Sequence, residues 1–245
     1  MIFNFKMSSS SALKRILKKD IREIQNQKLE DLGIYVKFNE DNMLQARAMI
    51  TGPNGSLYQH GFLFFNIIFP KNYPYSPPDV SYISRNKVRI HPNLYVGRHS
   101  SGYGKVCLSI LGTWSGPKWT SIMDITTILL TLQSLLDENP LHHEPGQEKN
   151  IGHTNILYNE IIKYESLNTL LLKNYFDTHD SFLDFKDEMK GEIEKVGVEN
   201  IIKYTKGLCE KNKDSFATVP IYRINTNLNY SQLSKDIERL ENEKK

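Results

Sequence analysis

Cysteine is scarce in this chain: two among 245 residues, Cys107 and Cys209, far apart in sequence. Two such residues build no disulfide framework and no structural zinc site, which needs several clustered ligands. No metal is expected. Charge of one sign is also lacking, since 31 Lys+Arg stand against 28 Asp+Glu for a net charge of +3. Nucleic-acid binders show a strongly basic balance or face, so no nucleic-acid partner is expected. Long apolar runs are missing too. None approaches the roughly 20 residues of a membrane helix. The apolar start Met1–Phe5 is too short for a secretory core. The expectation is a soluble, monomeric protein of the reducing cytoplasm, and of the nucleus as well, with no membrane partner. There is no internal repeat. The serine run Ser8–Ser11 reads as a helix N-cap.

Periodicity supplies the elements. Leu13, Ile16, Leu17, Ile21 and Ile24 have the three-and-four spacing of an amphipathic helix over residues 11–29. Lys14, Arg15, Lys18 and Lys19 fall on its other side. Strands follow over Ile34–Phe38, Met43–Thr51, Gly61–Phe69 and Asp79–Ser84, separated by Gly, Asn, Asp and Pro turns. Short links between consecutive strands predict an antiparallel meander with helices on one side. A core-facing helix is marked by Ile122, Ile125, Ile128, Leu129, Leu132, Leu135 and Leu136, which form one stripe. Asn139–Gly152 reads as loop, and helical spacing resumes from Asn155. The expected fold class is α+β.

Cys107 sits in the run Gly104-Lys105-Val106-Cys107-Leu108-Ser109-Ile110-Leu111-Gly112-Thr113-Trp114, preceded by His91-Pro92-Asn93. A cysteine among apolar neighbours is most often inert packing. Three further motifs change that reading: the proline turn Tyr73-Pro74…Pro77-Pro78, the His91-Pro92-Asn93 tripeptide, and Asn139-Pro140-Leu141-His142-His143-Glu144-Pro145-Gly146. In this order and spacing they resemble the ubiquitin-conjugating enzyme family, with the Leu108–Pro117 and Asn139–Gly146 segments similar to its Z-type branch. The likeness covers about residues 11–175 and fades along the tail.

The resemblance implies the ubiquitin-conjugating fold: a four-stranded antiparallel sheet with an N-terminal helix and C-terminal helices. It divides the chain into a tail over 1–10, a catalytic core over 11–175 and a helical extension over 176–245. It implies an acyltransferase that takes ubiquitin or a ubiquitin-like modifier from an activating enzyme as a Cys107 thioester and delivers it to a lysine of a protein substrate, with a RING- or HECT-type ligase. No cofactor is expected on the chain; ATP is used by the upstream activating enzyme. Sulfur suits such a relay because thiolate is a good nucleophile and its ester is readily attacked by an amine.

Asn93 takes the family position for stabilising the oxyanion, against the alternative that it locks the loop through backbone hydrogen bonds. His91, with Pro92, is read as structural support rather than as a general base. His142 stands where many relatives carry an acidic residue, and either orients or deprotonates the amine or is an idle loop histidine. Lys105 favours the thiolate or simply faces solvent. Lys14, Arg15, Lys18 and Lys19 match the surface offered to the activating enzyme, or form an ordinary solvated face. Tyr75, Trp119, Thr120 and Ser121 match two ligase-docking loops, and Trp114 is expected to pack beneath the site. Asn93 and Cys107 are 14 positions apart, wider than the family pattern, with the excess around Val96–Tyr103. Two rivals remain open: a non-catalytic module of the same fold, and a cysteine hydrolase pairing Cys107 with His91 or His153. Cys209 is read as packing.

Overall fold

The helical spacing near the start winds Ser11–Arg15 (α1) through a π-helical stretch, Ile16–Asp20, into Ile21–Asn26 (α2). The structure is a computed structural model and describes residues 11–85, 87–97 and 103–242. Ala12, Leu13, Ile16 and Asp20 are buried on the inner side of this helix. Strands Ile34–Phe38 (β1), Gln45–Thr51 (β2), Phe62–Ile68 (β3) and Asp79–Ile83 (β4) pair in chain order, all antiparallel. Tyr103–Lys105 (β5) adds a short fifth strand at the β4 edge. Three residues containing a glycine have too little alternation to announce a strand.

Strand side chains alternate between faces, so register decides what each face carries. Met49 lies opposite Tyr35 and Phe64, which puts these three with Lys37 and Arg47 on one face. Ala48 lies opposite Val36 and Phe65, placing Ala46, Ile50 and Ile67 with them on the other. Ile125–Leu135 (α3) contributes Ile125, Ile128, Leu129 and Leu132 to the core. Its N-terminus is capped by Asp124, whose carboxylate accepts from the backbone of Thr126 and Thr127, a contribution of about 1 kcal/mol. His153–Glu165 (α4) continues through π-helical Ser166–Lys173 into Asn174–Phe176 (α5).

The expectation of helices on one side of the sheet is corrected. Beyond α5 the chain crosses the second face: Phe182 stacks on Phe64 with ring centres 4.7 Å apart, and Phe185 follows at 6.4 Å. Met49 and Phe64 are fully buried there. An apolar strand face needs such a cover, since burying each large apolar side chain stabilises by roughly 1.5–3 kcal/mol. Lys37–Glu188 and Arg47–Asp184 ion pairs, both at 2.7 Å, rim the contact. Lys186–Val196 (α6) and Val198–Lys211 (α7) follow.

The tail is also less helical than expected. Ser215–Val219 (β6) and Ile224–Leu228 (β7) form an antiparallel hairpin before Tyr230–Asp236 (α8) and Arg239–Asn242 (α9). Ala217, Val219, Ile224 and Leu228 are its buried positions. Their period-two spacing is the strand signal, obscured in sequence by the Lys- and Glu-rich helices around it. One apolar cluster runs from Ala12 to Leu240. Among the described residues, no helix is long and apolar enough to cross a membrane.

Candidate active site around Cys107

Cys107 follows β5 and is held by its backbone to Asn93. Its N–H donates to the Asn93 carbonyl at 2.9 Å, and its own carbonyl accepts from Asn93 Nδ2 at 2.5 Å. The wider-than-usual spacing therefore leaves the two residues side by side. The strand leading to Cys107 also passes close to Tyr95: a Cβ on Gly104 would lie 1.7 Å from the Tyr95 carbonyl oxygen. Only glycine permits that approach. Arg98 and His99, within the excess around Val96–Tyr103, lie outside the described residues, as do Ser8–Ser10 of the serine run.

Past the cysteine the chain wraps around Thr113. Leu108 N–H donates to Thr113 Oγ1 at 2.9 Å, while the Thr113 hydroxyl faces the Val106 and Leu108 carbonyls at 2.8 and 3.1 Å. Sequence reasoning passed over Thr113. The signal was a threonine beside a glycine in left-handed conformation, here Gly112 at φ 69°, a setting typical of side-chain-to-backbone turns.

The Cys107 residue is 3 % exposed, yet it is not a member of the contiguous apolar cluster that includes Val106 and Leu108 on either side of it. The residue is buried between the core side chains of Val106 and Leu108. Lys105 is exposed on β5.

His91 is fully buried. Asn93 N–H donates to its Nδ1 at 3.0 Å, which requires that nitrogen to be unprotonated. Burial, with the nearby His143 and Arg89 charges adding to it, pushes its pKa down to about 3. The ring lies 5.1 Å from that of His143, whose Nε2 sits 2.8 Å from Asp137 Oδ2. A depressed histidine pKa stabilises the fold above its unfolded value near 6.5 and ceases to do so as pH falls toward about 3. Between about pH 7.5 and about pH 5, wild type is expected to lose roughly 2 kcal/mol from this source. His91→Gln removes that component, so its melting temperature should vary less over the same window. An unchanged pH slope in the variant would refute the assignment.

His142 lies in the 3₁₀ turn Pro140–His143, with Nε2 2.9 Å from the Asn150 carbonyl. A carbonyl only accepts, so Nε2 carries the proton and Nδ1 is the nitrogen left for any proton transfer. Trp114 requires a correction: it is 47 % exposed, so it does not pack beneath the site. The left-handed turn at Gly112 and the exposed stretch that follows carry it to the surface.

Two of the four basic residues on the first helix are engaged internally. Arg15 donates to the Met123 carbonyl at 2.8 Å, and Lys19 to the Ile122 carbonyl at 2.7 Å. Lys14 and Lys18 are exposed. Between them, the buried Asp20 accepts from the Tyr73 hydroxyl and, at 3.0 Å, from Ile125 N–H, with Arg15 Nε 3.6 Å away. Burial pushes the Asp20 carboxyl up and the Tyr73 hydrogen bond pulls it back. Trp119 braces the proline turn, donating from Nε1 to the Pro74 carbonyl at 2.6 Å. Tyr75 and Ile122 are 76 % and 77 % exposed, while Thr120 and Ser121 are also at the surface.

Fold and site define an α+β domain centred on one free cysteine. Residues 16–164 match the family model of the ubiquitin-conjugating enzymes, more than half of the chain, and the chain belongs to that family. Its likeness is to Z-type members. It is 41 % identical over 155 residues to ubiquitin-conjugating enzyme E2 Z of Danio rerio, covering 62 % of this chain and 44 % of that protein. Identity to E2 Z of Homo sapiens is 40 % over 155 residues, covering 62 % and 41 %. The chain thus spans less than half the length of these relatives. The E2 domain of a Toxoplasma gondii ubiquitin conjugating enzyme overlays with a TM-score of 0.47 at 26 % identity, covering 63 % of this chain and 96 % of that one.

Proposed function

We propose that this chain carries ubiquitin or a ubiquitin-like modifier as a thioester on Cys107 and transfers it to lysine of a protein substrate. The observation that supports this most is the double clasp of the Cys107 backbone by Asn93, once through the Asn93 carbonyl and once through its side-chain amide, within the family-matched segment. In the first step Cys107 Sγ attacks the modifier's C-terminal carbonyl, held as a thioester on the activating enzyme. A new C–S bond forms, and the activating enzyme's thiol leaves. In the second step a substrate amine attacks the same carbonyl, the C–N bond forms and Cys107 Sγ departs. The amine's proton passes to a base, for which His142 Nδ1 is the candidate.

Asn93 serves both of the roles open to it. Its amide nitrogen has two hydrogens: one is used by the Cys107 carbonyl, leaving the other for the oxyanion of the tetrahedral intermediate. His91 is a poor base, since burial keeps it neutral and its Nδ1 is occupied. That weighs against a hydrolase built on Cys107 and His91. Lys14 and Lys18 belong to the surface for the activating enzyme, where charge mainly sets encounter rate. Tyr75 and Ile122 offer a RING- or HECT-type ligase an aromatic and an aliphatic anchor; Trp119 braces the proline turn that carries Tyr75, and Arg15 and Lys19 tie the Ile122 segment to the first helix. ATP is consumed upstream, and the setting is the cytoplasm and nucleus.

With activating enzyme, modifier and ATP, wild type is expected to form an adduct cleaved by thiols. Cys107→Ser should instead give an adduct that resists thiols or none, while Cys209→Ser should behave as wild type. A thiol-sensitive adduct persisting in Cys107→Ser would refute the proposal. No adduct in wild type would favour a non-catalytic module.

A further inference from the structure

The cysteine loop and the C-terminal hairpin meet at Arg89. Its guanidinium packs 3.6 Å from the Tyr95 ring centre and 4.5 Å from that of Tyr222, and it donates to the Pro92 carbonyl. The Tyr222 hydroxyl reaches on to Glu144 Oε2 at 2.7 Å. Beside this stack lies a groove of about 720 Å³, walled on one side by Tyr95–Gly97 and on the other by the hairpin turn and the start of β7. The wall segment Tyr95–Gly97 is continuous with Asn93, which clasps Cys107.

Among the described residues, three cations line the groove, Lys87, Arg89 and Arg223, and no carboxylate does. Lys87 and Arg223 are exposed at its rim. In a chain of almost balanced charge, a concave surface of one sign concentrates field and selects a partner of opposite sign. Val96 and Ile221 add apolar surface. Among the described residues β7 pairs with β6 alone, so its second edge has backbone groups open to an added extended segment.

We propose that this groove binds an extended acidic segment of the acceptor protein beside its target lysine, so that the C-terminal hairpin helps select which lysines are modified. The inference rests on the thioester relay proposed for Cys107. It deepens that reading by naming an acceptor class.

The test has two arms. In the first, fluorescence anisotropy follows binding of labelled peptides of about ten residues to the uncharged full chain: one acidic around a single lysine, one neutral and one basic. In the second, discharge of preformed thioester onto the same peptides is timed. Two partly exposed ion pairs give about a threefold to tenfold preference for the acidic peptide, weakened by salt. Lys87→Glu/Arg223→Glu should reverse the order of the peptides in both arms. Equal affinities in wild type, an unreversed order in the variant, or tighter binding of a single-stranded RNA than of the acidic peptide would overturn the proposal. Selective binding with no adduct on Cys107 would remove the relay and leave the acidic-peptide groove standing.

Discussion

Asn93→Ala is expected to accept the modifier on Cys107 and then discharge it onto free lysine about a hundredfold to a thousandfold more slowly than wild type, the effect of losing one oxyanion donor. The Asn93 amide can span both functions proposed for the site, since it donates to the Cys107 carbonyl at 2.5 Å and has a second hydrogen to offer. The two contributions separate by step. The lock acts on the resting loop, and its loss costs about 1 kcal/mol of stability, because Cys107 N–H still reaches the Asn93 carbonyl. The oxyanion contribution acts only when the amine attacks. Discharge measured from preformed thioester therefore isolates it. Equal rates for variant and wild type would sink the assignment; slowed charging with normal discharge would leave only the lock.

Asp20→Ala should lower stability by about 3–5 kcal/mol, the cost of removing one partner from a buried charged network. For a chain of this length that corresponds to a melting temperature lower by about 10 °C or more. Two donors lose their acceptor, the Tyr73 hydroxyl and Ile125 N–H, and the Arg15 guanidinium loses its ion-pair partner. Asp20→Asn should recover most of the loss, because burial penalises the ionised carboxylate and a neutral amide still accepts from Ile125. The pH dependence has a definite sign. A carboxyl whose folded pKa is raised stabilises most below its unfolded value of about 3.9 and loses that contribution as pH rises through the folded value. Wild type should therefore gain on Asp20→Asn as pH falls through the window just above the ordinary carboxylate range. Calorimetry of the three proteins checks both claims, and an Asp20→Ala loss under about 1 kcal/mol, typical of a surface pair, would contradict them. The same network joins the first helix, the proline turn and the start of α3, so the variant should also weaken the docking proposed at Lys14, Lys18, Tyr75 and Ile122.

Much of the sheet was legible because strand faces alternate every second residue: β1 to β4 fall within the segments read from sequence, and Cys107 was singled out by its motif. Asp20 was not legible. A carboxylate in a helix that also carries Lys18 and Lys19 reads as surface, and only packing against Tyr73 and Ile125 makes it interior. Trp114 failed in the opposite direction, since an aromatic after an apolar run suggests core until the Gly112 turn sends it outward. The hairpin was hidden because Ala217, Val219, Ile224 and Leu228 form a short alternation between charged helices. Arg89 and Tyr95 are six positions apart, but Tyr222 lies 127 positions beyond Tyr95 and no motif joins the three, so nothing local marks them as one stack.

By itself the sequence determined the antiparallel meander and the family of the chain, because those depend on local periodicity and on the order of short motifs; the stripe that included Ile122 did not hold at that residue, which lies before α3 and is 77 % exposed. Tertiary structure alone decided that the tail covers the second face of the sheet, that Asp20 becomes a buried hub, and that the hairpin walls a cationic groove beside the cysteine loop. The reason is physical: burial and electrostatic environment are set by neighbours many residues away, and no window along the chain contains them.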